Sequence, residues 1–203
     1  MNNSEYFNNF LFNLKTDRNN EIINNFIINS KYQKVFNASI LMVQATNFAR
    51  QMQSMLNIYL NPLTFAEMIK NTFKPFNNLV DIKILNKSDL IKKHIGLILS
   101  VSNASNQKNE PKLISIKFKN TKPKFAIVGK GIIFDTGGIN LKPSIHLIGM
   151  QYDMSGAAIA AGVMYAFCLN KMKPDFSVVI PLAVNEIGAN CTKVGDIITS
   201  YSK

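Results

Sequence analysis

Apolar side chains recur at Leu41, Ala45, Phe48, Met52 and Met55, stepping by four and three. That period lays one apolar stripe along a helix and predicts one over 38–57, with its methionines as core filler. Asn61-Pro62 breaks it, because the residue before a proline is pushed out of the helical region. Thr64-Phe-Ala-Glu67 reads as a capping box opening a second helix that reaches Lys70 or Phe73. Val80 to Leu85 reads as a strand. Ser88 or Asp89 caps a short helix holding Leu90 and Ile91, with His94 as a surface residue at its end. Ile95 to Val101 is another apolar segment, followed by the turn-forming run S-N-A-S-N-Q-K-N-E-P. Strands are expected at Leu113 to Phe118 and at Phe125 to Val128, the latter buried. A helix over 155–170, a strand from Phe176 to Val184 and a strand from Asp196 to Ser200 complete the order. Alternating strands and helices of these lengths predict an α/β domain, a three-layer α/β/α arrangement with a mostly parallel mixed sheet. Residues 1 to 34 are Asn-rich. Their apolar run (Ile22, Ile23, Phe26, Ile27, Ile28) suits a strand or a helix equally, and the segment is too small for a core of its own.

Composition narrows the class. The 203 residues are 47% apolar and 17% charged, which fits a globular chain with a real core. No uninterrupted apolar run reaches the ~18 residues of a membrane span. The N-terminus lacks a basic region followed by an apolar core, so no signal peptide is expected. Cys168 and Cys191 form neither C-x-x-C nor a zinc spacing, which fits free thiols in a reducing, cytoplasmic setting. The net charge of +11 is scattered along the chain, with no basic block longer than Lys92-Lys93. Such scatter favours solubility and argues against a nucleic-acid-binding face.

The candidate chemistry gathers between Phe125 and Ala161. Gly129, Gly131, Gly137 and Gly138 let the backbone turn or approach a ligand, and Pro143 ends the loop. Asp135 is followed by Thr136-Gly137-Gly138 and Asp153 by Met154-Ser155-Gly156. Carboxylates on such loops suit a divalent cation. Asp153 is equally placed to cap the helix after Met154. Lys130 is open to an ion pair with Asp135 or to a role as neutral amine ligand. Lys142, held by Pro143, is placed to stabilise an oxyanion.

V-G-K-G-I-I-F-D-T-G-G-I-N-L-K-P-S followed by M-x-x-D-M-S-G-A-A resembles the leucyl (cytosolic) aminopeptidase family in residues and spacing. The resemblance extends over about residues 38 to 203. N-F-A-R-Q-M-x-S-M-L-N-x-x-L-N-P resembles the opening of that family's catalytic domain. Ile95 to Ser105 resembles its M-G-x-L-L-x-V strand and loop, and I-P-L-A-V-N-E and V-G-D-I-I-T-S its later strands. The resemblance implies a two-metal aminopeptidase using manganese, zinc or magnesium and acting on peptides. Asp135 would bridge both metals, and Lys130 and Asp153 would bind the second. Lys142 would polarise the scissile carbonyl, and Met150 would line the pocket for the first side chain.

Departures from the family pattern qualify the expectation. The family's N-T-D-A-E-G-R motif, due shortly after G-D-I-I-T-S, is not in these residues. Val184 stands for a glutamate, Val194 stands for a proline, and Glu186 matches no ligand position. Residues 1–37 are therefore expected to be a linker-like segment without the family's N-terminal domain. Residues 38–203 are expected to be a truncated catalytic domain, its sheet incomplete at the C-terminus. Ligands mainly for one metal are retained, so the chain is expected to be weak or inactive as a peptidase. The alternatives are a non-catalytic binding or assembly module, or half of a split enzyme completed by a chain carrying N-T-D-A-E-G-R. Homo-oligomers are expected from the family hexamer.

Overall fold

The computed structural model describes residues 29–202, in two units that meet between Phe36 and Asn37. The apolar run from Ile22 to Ile28 lies outside the described residues. In the first unit the Asn29 side chain accepts from Lys31 N at 3.0 Å and caps a single turn at Ser30–Tyr32.

Helix α1 (Gln33–Gln53) buries Ala45, Phe48 and Met52, and Met55 is buried just beyond it; Leu41 on the same stripe is partly covered. Helix α2 (Pro62–Phe73) begins earlier than the Thr64–Glu67 box implied. Pro62 needs no hydrogen-bond partner for its nitrogen and fits the first position. Asn61 Oδ1 accepts from Leu63 N and Thr64 N, and Asn61 N donates to Thr64 Oγ1, each at 2.9 Å. Strand β1 (Val80–Leu85) leads to α3 (Lys87–Lys92), where Asn86 is the cap and Asp89 Oδ2 accepts from its N–H at 3.0 Å. The segment expected as a strand after Ile95 is a helix, α4 (Gly96–Val101). An apolar run without alternation does not separate the two states.

The sheet comprises β1, β2 (Lys112–Phe118), β3 (Phe125–Val128), β4 (Gly131–Asp135) and β5 (Phe176–Asn185), in the order β1-β2-β5-β3, with β4 also on β5. It is mixed. β1 and β2, and β2 and β5, run antiparallel; β3 and β4 run parallel to β5. The antiparallel half is larger than the alternation of elements implied. β3 and β4 pair with successive stretches of β5 in unbroken register from Phe125 to Ile132, so Gly129-Lys130 interrupts one line of strand and does not reverse it.

Ile114, Ile116, Phe118, Phe176, Val178, Ile180 and Leu182 form the buried face of the sheet. Each such side chain contributes about 1.5–3 kcal/mol by leaving water. Helix α6 (Ser155–Leu169) packs there, its Phe167 ring edge-on to Phe176 at 5.3 Å. Its Gly162 faces Ala45 and Ala49 of α1, and Tyr165 meets Phe48 and Phe73 at 5.2 and 5.9 Å. The alternate residues Leu113, Ser115, Val179 and Pro181 are only partly covered. Ser144–Leu169 is long and apolar enough to cross a membrane, but half of it is buried in the fold. It is also broken at the left-handed Gly149, between α5 (Ser144–Leu147) and α6, as a core helix with its lead-in would be.

Two expected strands differ. β3 is an edge strand and not a buried one: Phe125 is 60% and Val128 67% exposed. Asp196 to Ser200 is irregular, with Ile197 97% exposed. Gly195 takes φ +93°, and Asp196 accepts from Lys193 N at 2.7 Å, so a turn occupies the start of that segment.

Candidate metal centre

The site is made where α6 presses its first turn against the Gly129-Lys130 break. A Cβ on Gly129 would lie 2.5 Å from Gly156 O and 2.8 Å from Ala160 Cβ; one on Gly156 would lie 2.9 Å from Lys130 N. Neither glycine has room for a side chain. Ala157 N donates to Lys130 O at 2.8 Å and locks the contact. Lys130 is thereby set beside Asp153, which ends the Met150–Tyr152 turn just before α6, and its Nζ donates to Asp153 Oδ1 at 2.7 Å. Asp153 does not cap the helix: Met154 occupies the cap position without a side-chain bond.

Asp135 is aimed by a β-bulge. Between Ile132 and Asp135 the strand carries one residue more than β5 does, so Asp135 pairs with Asn185. A bulge leaves a main-chain group without a ladder partner; here Asn57 Nδ2 donates to Ile133 O at 2.8 Å. Beyond Asp135 the chain folds back through Gly137 and Gly138, both at positive φ (+90° and +67°), where a side chain would be strained. Thr136 Oγ1 donates to Asn185 O at 2.6 Å, and Lys142 N donates to Thr136 O at 2.9 Å. That fold returns Lys142 to Asp135, with Nζ 2.5 Å from Oδ2 and 3.2 Å from the Asp135 carbonyl oxygen. Met150 Sδ is 3.1 Å from the same Nζ.

The four polar residues named from the sequence thus come together with Met150, but the ion pairs are crossed. Lys130 pairs with Asp153 and not with Asp135, which pairs with Lys142. Burial pushes the Asp135 carboxyl up. The hydrogen bonds from Lys142, Gly137 N and Asn185, with the charge on Lys142, outweigh burial and hold it below its ordinary value. Asp153 Oδ2 is buried and has no hydrogen-bond partner. A carboxylate oxygen left so costs about 1–3 kcal/mol or more, unless a cation or water meets it. That orphaned oxygen and the Asp135 carboxylate are oxygen donors of the kind a divalent cation takes.

The donor set is short. No three His, Cys, Asp or Glu side chains gather among the described residues. Glu186 is engaged elsewhere, accepting from Asn109 Nδ2 at 2.5 Å and from Asn106 N at 3.3 Å. Cys168 and Cys191 are free, buried thiols, and burial pushes Cys168 up to about 12, far from a nucleophile's range. Two residues that hold the site, Asn57 and Asn185, were not singled out as site residues. A lone asparagine carries no pattern, and only the pairing of β4 with β5 brings Asn185 to Asp135.

The catalytic-domain model of the cytosol aminopeptidase family matches residues 47–203. A probable cytosol aminopeptidase of Metamycoplasma salivarium is 33% identical over 201 residues, covering 98% of this chain and 38% of that protein. The chain spans well under half the length of the curated relatives it matches. The apo structure of leucyl aminopeptidase from Trypanosoma cruzi superposes with a TM-score of 0.75 at 28% identity, over 82% of this chain and 32% of that one. The bottromycin maturation enzyme BotP, solved in complex with Mn, shares the fold with a TM-score of 0.75 at 24% identity, over 89% of this chain and 40% of that one.

Proposed function

The chain belongs to the cytosol aminopeptidase family, and from that premise we propose that it carries part of a metal-dependent site that removes N-terminal residues from peptides in the cytoplasm. The observation that carries this reading is the two Lys–Asp pairs, Lys130 with Asp153 and Lys142 with Asp135, one of which leaves Asp153 Oδ2 buried and unpartnered. Asp135, Asp153 and Lys130 would hold the cation. Manganese is supported by the BotP relative, and zinc and magnesium suit the same oxygen donors. The bound cation supplies Lewis-acid polarisation and a more acidic water.

The chain's own groups do the rest. Lys130 Nζ lies against Asp153 Oδ1 and keeps that carboxylate in place, leaving Oδ2 free to meet the cation. Lys142 is the catalytic residue: its amine leaves Asp135 Oδ2, donates to the scissile carbonyl oxygen and stabilises charge developing there. Met150, in contact with that amine, forms the apolar wall for the first side chain of the peptide. In this reading residues 38–203 are the catalytic-domain part and 1–37 a linker-like segment.

Two carboxylates serve one cation. A second cation needs carboxylates from further sequence or from another chain, so these residues alone bind metal weakly and hydrolyse peptides slowly or not at all. The open edge at Phe125 and Val128 favours completion by a complementing half or by another copy over a free-standing binding module. The test is hydrolysis of leucine p-nitroanilide with Mn²⁺. The chain alone is expected to be near background, and activity is expected on mixing with a chain that carries N-T-D-A-E-G-R. Turnover by the chain alone near that of a full-length relative overturns the half-site reading; no turnover in the mixture overturns the aminopeptidase reading.

A further inference from the structure

Asp135 Oδ1 receives two donors, Gly137 N at 3.0 Å and Asn185 Nδ2 at 2.7 Å. A carboxylate oxygen has two lone pairs, so Oδ1 is saturated. Oδ2 faces Lys142, a group that can move away. Asn185 is itself fixed: its carbonyl accepts from Thr136 N at 3.0 Å and from Thr136 Oγ1 at 2.6 Å. The loop closes over its side chain so tightly that a Cβ on Gly138 would lie 3.0 Å from Asn185 Oδ1. Asp135 Oδ1 only accepts, so the Asn185 amide turns its nitrogen toward it.

We propose that Asn185 is a positioning residue for the cation: by holding Asp135 Oδ1 it fixes the carboxylate plane and presents Oδ2 as the oxygen that exchanges Lys142 for metal. The role rests on the metal-centre reading above. Without Asn185 only Gly137 N holds Oδ1, so the carboxylate is freer to rotate about its last torsion and must be ordered again on binding. Residues that hydrogen-bond a metal ligand affect affinity about 10- to 100-fold.

The experiment is a Mn²⁺ titration of the full chain, read by the loss of the free-ion EPR signal, with metal-free thermal unfolding in parallel. Asn185→Leu keeps the shape and removes the donor. It is expected to bind Mn²⁺ about tenfold or more weaker. Asn185→His, whose ring N–H can occupy the same position, is expected to recover most of the loss. Unchanged affinity in a folded Asn185→Leu overturns the proposal alone. A wild-type chain that takes up no Mn²⁺ overturns the metal-centre reading and this role with it. Should Asn185→Leu not fold, nitrogen-15 relaxation of the wild-type Asn185 side-chain amide decides: an order parameter near the ~0.85 of rigid backbone is expected, and one below about 0.6 overturns the clamp.

Discussion

Lys142 Nζ lies 2.5 Å from Asp135 Oδ2 and caps the carboxylate on the side away from Asn185. The amine supplies both a hydrogen bond and a charge that hold the Asp135 carboxyl low against the opposing effect of burial. Lys142→Met keeps the burial and loses both. The titration midpoint of Asp135, followed by carbon-13 NMR of its carboxyl, is expected to rise relative to wild type. A carboxyl lowered in the fold stabilises above the ordinary carboxylate range and loses that contribution as pH falls through its lowered value. Lys142→Met should therefore be less stable than the parent near neutral pH, and the difference should narrow as pH falls through the carboxylate range, followed by chemical denaturation at each pH.

Asp153 separates stability from ligand binding. Its partner Lys130 is 60% exposed, so the ion pair is screened and contributes at most about 1 kcal/mol. Asp153→Asn removes a buried charge that lacks a partner on one oxygen. Chemical denaturation is expected to change by no more than about 1 kcal/mol, while calorimetric titration with Mn²⁺ is expected to lose its signal.

Gly129 tests the docking of α6. In Gly129→Ala the new methyl meets Gly156 O, and a main-chain atom cannot swing aside. Overpacking of this kind costs about 1–3 kcal/mol. A lowered thermal midpoint is expected, together with weaker Mn²⁺ uptake, because the helix that carries Asp153 into place is pushed off Lys130.

The edge strand predicts a solution property. Phe125 and Val128 leave an open, apolar row beside β5, and charged side chains are the usual guard on such rows. Val128→Lys is expected to reduce concentration-dependent association of the chain, measured by sedimentation velocity, with its circular dichroism unchanged.

Local pattern carried the fold a long way. The four-and-three stepping from Leu41 to Met55 marked α1, and the glycine-flanked aspartates pointed to the loops where the two Lys–Asp pairs lie. What failed needed partners distant in sequence. Nothing in Phe125 to Val128 says that only one neighbour pairs with it. Ile95 to Val101 has no period to separate helix from strand. The crossed ion pairs depend on α6 docking at Gly129, a contact between residues far apart in the chain. Asn185 became visible as a site residue only once the register of β4 on β5 was known.

The additional residue between Ile132 and Asp135 has an evolutionary corollary. Side chains along a strand point alternately to its two sides, so if all these residues paired without the bulge, Asp135 would slide one position past Asn185 and turn to the opposite side, away from Lys142. This stretch should then accept exchanges of amino-acid type more readily than any change in length, and alignments of relatives should show it free of gaps.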